Sequence, residues 1–124
     1  MSLKLHSVVN GKTPNAEYVW AQAAGATNIG GYAVIDRTFE HNSQLSNEFR
    51  HIFIFPKLLI ADGDWVRLYT GKGVYSKQKI DNKENHIHNF YWGAGTCVWN
   101  DNGGDIATLI EIKLVNSVTV PAVK

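Results

Sequence analysis

Short runs of alternating apolar and polar residues recur along this chain, and turn residues stop each run before it reaches helical length. Successive side chains of a strand point to opposite faces, so each such run has one face to bury and one to hydrate. A helix would need apolar residues at three- and four-residue spacing for about three turns, and no segment offers that. Residues 3–9 alternate and end at Asn10-Gly11, a tight-turn dipeptide. Residues 17–23 read as a second strand and residues 31–36 as a third, introduced by Gly30-Gly31. Residues 39–50 are polar and predict a loop, with one helical turn at 46–49 as the alternative. Residues 51–55 alternate aromatic and β-branched side chains and stop at Pro56, which has no N–H for a central ladder.

Asp62-Gly63 then turns the chain into a strand over residues 64–70, which Gly71-Lys72-Gly73 closes. Residues 74–89 form the longest polar stretch and predict a surface loop. Residues 90–92 and 96–100 read as strand pieces on either side of Gly93-Ala94-Gly95. Asp101-Asn102-Gly103-Gly104 has the composition of a hairpin turn. Residues 106–120 are rich in Ile, Leu, Val and Thr and predict one long or two short strands. Regularly punctuated short strands indicate an all-β sandwich or barrel.

A chain of 124 residues suits one domain, expected to span residues 1–124. With 44% apolar and 19% charged residues it can bury a core and does not read as disordered. Twelve basic residues face eleven acidic ones, so there is no overall excess of the kind that strong nucleic-acid binders carry. Lys72, Lys77, Lys79 and Lys83 lie close in sequence, but Asp81 and Glu84 interrupt them, the pattern of a solvated loop. The single cysteine excludes an internal disulfide. No apolar run approaches the ~20 residues of a membrane-spanning helix, so no membrane insertion is expected. The first residues lack an apolar stretch of signal-peptide length, which leaves the compartment open.

Four groups of residues invite a chemical reading. His86-Ile87-His88 would place two imidazoles on one face of a strand, as zinc or copper ligands are placed. A third and fourth ligand are missing, so two solvated histidines in a loop are expected. Thr70-Gly71-Lys72-Gly73 resembles a phosphate-cradling loop but has neither the spacing nor the following Ser or Thr. Asp101 to Asp105 offers calcium-type oxygens without the EF-hand spacing. Cys97 sits between Thr96 and Val98 in an apolar run and reads as an inert thiol in a strand. No acid–base pair of carboxylates can be assigned. Catalytic residues, bound metal and cofactor are therefore all expected to be none.

The order of these pieces resembles the lamin-tail domain, over about residues 17–120. Glu17-Tyr18-Val19 opens the match, and Gly31-Tyr32 stands where the family usually has Gly-Trp. His51-Ile52-Phe53-Ile54-Phe55-Pro56 looks like the family's aromatic strand ending in Phe-Pro. Asp62-Gly63-Asp64 with Val66 and Leu68, then Thr70-Gly71-Lys72-Gly73, follow. Tyr91-Trp92-Gly93-Ala94-Gly95 is similar to Trp-Gly-x-Gly. Val98-Trp99-Asn100, Gly103-Gly104-Asp105, Ala107-Thr108-Leu109 and a closing strand at residues 113–120 complete the pattern. The resemblance implies an immunoglobulin-like β-sandwich, a member of the bacterial type, and implies no catalysis.

One surface follows from that fold. Val66 and Leu68 match core positions, so Trp65, Arg67 and Tyr69 face outward. Val19 and Ala21 likewise match core positions, so Tyr18 and Trp20 face outward. The second and fifth strands of an immunoglobulin-like sandwich are neighbours, and the five side chains should form one aromatic patch around an arginine. The alternative is that residues 39–50 or 74–89 fold over the patch as a loop. The function expected is a non-catalytic binding or targeting module for a protein partner, within a larger protein or assembly. The alternative is a carbohydrate- or nucleic-acid-binding accessory domain of an exported hydrolase or nuclease, and a homo-oligomer is compatible with either.

Overall fold

The structure, a computed structural model, describes residues 1–39, 45–99 and 106–123, with backbone alone at 37–39 and 45–50. Its strands are β1 (Ser2–Val9), β2 (Tyr18–Ala24), β3 (Thr27–Asn28), β4 (Tyr32–Phe39), β5 (Leu45–Ile54), β6 (Leu59–Ile60), β7 (Trp65–Tyr69), β8 (Ser76–Lys79), β9 (His86–Tyr91) and β10 (Ile106–Glu111). The helical residues described are two single 3-10 turns, Pro14–Ala16 and Ile29–Gly31. The class is all-β.

Three sheets form: β1-β2-β7-β9-β8, β10-β4-β5, and the two-residue pair β3-β6. All described pairings are antiparallel except β7 with β9, which run parallel. Period-two burial is clearest in the middle of the large sheet, where Val19, Ala21, Val66 and Leu68 are buried and their neighbours half-buried. One apolar cluster draws on both larger sheets: Leu3, Val19, Ala21, Val66, Leu68 and Phe90 from one, Tyr32 and Val34 from the other. Gly63 has φ +84, which a residue with a Cβ adopts only under strain, and the Asp62 carboxylate accepts the Gly25 amide at 2.8 Å beside it.

Five sequence expectations are corrected. Residues 45–50 are neither loop nor helical turn: they extend β5, with Phe49 opposite Arg37 and Leu45 opposite Phe39. Among the described residues β5 is an edge strand, where polar composition is ordinary. Residues 74–89 are not a loop without strands, for they contain β8 and most of β9. β8 is the other kind of polar strand, a short lysine-bearing edge. β9 is polar because its side chains are hydrogen-bonded inside the protein: His88 to Asp64 and Tyr75, Asn89 to Arg67 and Ser76.

Residues 96–99 form no strand. The amides of Val98 and Trp99 bond to the Glu17 carboxylate at 2.7 and 3.2 Å instead of a neighbouring strand. Cys97 is accordingly half-buried outside any strand. The strand expected over 106–120 stops at Glu111, and residues 112–123 are unpaired. The Asp101 to Asp105 turn and Asn100 lie outside the described residues.

Candidate binding surface

Strand pairing in the large sheet generates a grid of outward side chains. Tyr18 pairs with Tyr69, and Tyr69 with Tyr91. Trp20 pairs with Arg67, Arg67 with Asn89, and Asn89 with Ser76. Gln22 pairs with Trp65, Trp65 with Ile87, and Ile87 with Gln78. The five residues read from the sequence are thus brought together, and all five are half-buried. Of the two segments expected to cover them, residues 76–79 and 86–91 extend the sheet sideways as β8 and β9, residues 45–50 pair with β4 in the other sheet, and residues 40–44 lie outside the described residues.

Arg67 occupies the centre. Its guanidinium carbon lies 4.9 Å from the Trp20 ring centroid, 5.0 Å from Tyr69 and 5.6 Å from Tyr18, all within cation–π range. Nε donates to Oδ1 of Asn89 at 2.8 Å and Nη2 to Oε1 of Gln78 at 3.4 Å. Both acceptors are neutral, and among the described residues no carboxylate pairs with the guanidinium. Tyr18 meets Trp20 and Tyr69 edge-on, and Trp20 meets Trp65 edge-on, with centroids 5.3 to 5.8 Å apart. Tyr69 and Tyr91 stack with planes 9° apart. These contacts hold the side chains in place before anything binds, which lowers the ordering cost of association.

Beside the grid runs an apolar groove of about 210 Å³ lined by His6, Trp20, Trp65, Ile80 and Ile87. A bulge puts His6 there: β1 pairs Leu5 with Ala21 and then Ser7 with Trp20, leaving His6 as the extra residue. Its ring stands 5.2 Å from that of Trp65. Tyr91, Asn89, Gln78, His6, Ile80 and Ile87 are absent from the sequence-derived surface. The alternation of Ile87, Asn89 and Tyr91 signals three of them once residues 86–91 are recognised as a strand.

The opposite face of the same sheet carries a polar chain. Oδ2 of Asp64 lies 2.9 Å from Nε2 of His88, whose Nδ1 lies 2.8 Å from the Tyr75 hydroxyl. His88 and Asp64 are buried. Both ring nitrogens of His88 are engaged, so the expectation of two solvated histidines in a loop is corrected for His88. Burial opposes the Asp64 charge, but hydrogen bonds from His88, the His86 amide, Asn85 and the Ala61 amide outweigh it and lower the pKa to about 2. Burial, then the Asp64 charge, push the Tyr75 hydroxyl upward.

The remaining sequence motifs resolve into packing. The Thr70 hydroxyl donates to Glu17 at 2.7 Å. A Cβ on Gly71 would fall 1.5 Å from Oδ1 of Asn15, and one on Gly73 would fall 2.4 Å from the Tyr91 ring. These glycines permit close approach of backbone to side chain. No group of three or more metal-binding side chains stands together among the described residues. No helix there is long and apolar enough to cross a membrane. No protein-family model, curated protein or solved structure matches this chain.

Proposed function

We propose that this chain is a lamin-tail-like module with an immunoglobulin-like sandwich fold, non-catalytic, that docks a protein partner through the Arg67-centred face. The observation that carries the reading is the guanidinium held among Tyr18, Trp20 and Tyr69 by the neutral acceptors Asn89 and Gln78. Arg, Trp and Tyr dominate binding hot spots when they are ordered and can be fully desolvated. What supports the fold reading is the pairing of β2 with β7 and a core fed by both larger sheets. The partner's matching feature is a carboxylate or carbonyl cluster set in an apolar rim. The module would act within a larger protein or assembly.

The groove beside Trp20 and Trp65 favours a second reading, a sugar or base stacking on an indole face. One experiment separates the two. Proteins captured from source cells are purified and titrated calorimetrically, in parallel with polysaccharides and oligonucleotides. Trp20→Ala with Trp65→Ala should weaken protein binding at least about tenfold. Its unfolding free energy should shift by less than about 1 kcal/mol. A loss of several kcal/mol with binding unchanged would overturn the reading, and binding of polymers alone would favour the second.

A further inference from the structure

The strongest unexplained feature is the segment after β10. Ile112 is still tied to the sheet, its amide donating to the Gly31 carbonyl at 2.8 Å. Residues 113–123 then run free of any strand pairing. Leu114, Val115, Val118 and Val120 are 81 to 84% exposed. The composition is that of a strand: Val and Thr recur, and Pro121 is its stop. Alternation through residues 113–120 puts Leu114, Asn116, Val118 and Val120 on one face and Lys113, Val115, Ser117 and Thr119 on the other, so three of four side chains are apolar on the first face and one of four on the second. This is an amphipathic strand without a sheet.

The complementary feature lies on β5. Among the described residues β5 pairs only with β4, so its other edge is open. Its outward side chains Ile52 and Ile54 are 46 and 55% exposed, beside the buried Ala33 and Ile35 of β4. Among the other outer strands of the two larger sheets, β1, β8 and β10, β8 is blunted by Lys77 and Lys79. Eight residues of strand span about 26 Å, a length the ten-residue β5 can accept.

The segment cannot reach this edge within its own chain while all of residues 113–120 remain a strand. β10 and the open side of β5 are separated by three strand spacings, about 14 Å. From Glu111 to Lys113 the chain reaches about 7 Å at most. Pairing with a second molecule has no such constraint.

We propose that residues 113–120 pair as a strand with the open edge of β5 in a second copy of this chain. Leu114, Val118 and Val120 meet Ile52 and Ile54 there. The exchange is reciprocal, which gives a closed two-fold dimer. This interface is separate from the Arg67-centred face and does not rest on the function proposed for it.

Sedimentation equilibrium of the full chain up to about 100 μM tests the proposal, a range that registers micromolar association. A dimer is expected, with amide hydrogen exchange protecting residues 114–120. Leu114→Lys with Val118→Lys should weaken the dimer at least tenfold, and Ile52→Lys should do the same. The first variant alters only exposed side chains, so it decides the matter if Ile52→Lys fails to fold by circular dichroism. Trp20→Ala with Trp65→Ala should leave the dimer unchanged. A monomer throughout, a dimer insensitive to the Leu114 and Val118 changes, or a dimer lost only with the tryptophans would overturn the proposal. Growth past the dimer would overturn its reciprocal closure.

Discussion

His88 and Asp64 form a buried pair at 2.9 Å, the centre of a hydrogen-bond chain that ties the start of β7 to β9 and to Tyr75. Asp64 also accepts the amides of Ala61 and His86 and the side-chain amide of Asn85. The four donors prefer the ionised carboxyl, which is why its pKa stands at about 2 despite burial. A carboxyl depressed in the folded state stabilises the protein above its unfolded value, and that contribution disappears as pH falls through the folded value. Unfolding free energy should therefore drop by about 2 kcal/mol between roughly pH 5 and pH 2 on account of this group. Asp64→Asn should flatten that part of the profile in urea titrations, while lowering stability at pH 7 by about 3 kcal/mol or more. An unchanged acid limb in the variant would contradict the assignment.

Glu17 is buried and gathers three donors on Oε1: the Thr70 hydroxyl and the Val98 and Trp99 amides. It is what fixes residues 98–99 against the large sheet. Glu17→Ala would leave two amides and a hydroxyl without their acceptor, each unsatisfied group costing about 1–3 kcal/mol. A fall of about 3 kcal/mol or more in chemical denaturation is expected, with loss of hydrogen-exchange protection at Val98 and Trp99. A variant of near wild-type stability would show that these donors have other acceptors.

Cys97 reports on the same segment. Its Sγ lies 3.6 Å from the Gly11 carbonyl, and burial followed by the Glu17 charge raises its pKa. Thiolate is the reactive form, so a thiol reagent should label native protein more slowly than denatured protein. Glu17→Ala should accelerate native labelling by removing both the charge and the anchoring. Equal native and denatured rates in wild type would mean an exposed, unperturbed thiol.

What was legible in the sequence depended on where polar groups find their partners. β2 and β7 bury one face against apolar neighbours and hydrate the other, so simple alternation located both and oriented Tyr18, Trp20, Trp65, Arg67 and Tyr69 correctly. β9 defeated the same reading because His88 and Asn89 are polar yet buried, satisfied by Asp64 and Arg67 far away in sequence. β8 failed for the opposite reason, all four residues being exposed at an edge. Residues 96–99 misled in turn, since Val98 and Trp99 are apolar and buried but their amides go to a carboxylate, which no local pattern announces. Missing β9 also removed Tyr91 and Asn89 from the expected surface, and with them the reason Arg67 is held still.

Asn89 supplies that restraint. Asn89 is buried and bridges Arg67 to Ser76, accepting from Nε at 2.8 Å and donating to the serine hydroxyl at 3.2 Å. Without it the guanidinium keeps its aromatic neighbours and the longer bond to Gln78, but loses its closer acceptor. Arginine stacked on rings without a fixed hydrogen bond retains more rotamer freedom, and that freedom must be lost on binding. Asn89→Ala should therefore change Arg67 without touching it. By NMR, the Nε–H of Arg67 should exchange slowly in wild type and much faster in the variant. The side-chain protons of Arg67 should lose part of the ring-current shift imposed by Trp20 and Tyr69. Stability should fall by about 1–3 kcal/mol, the range for breaking buried hydrogen bonds. Arg67→Lys is the control: it keeps the charge but cannot supply the planar guanidinium, so it should abolish the Nε–H signal and weaken partner binding more than Asn89→Ala does. If Asn89→Ala leaves both the exchange rate and the ring-current shifts unchanged, the three aromatic rings and Gln78 suffice to hold Arg67, and Asn89 has no positioning role.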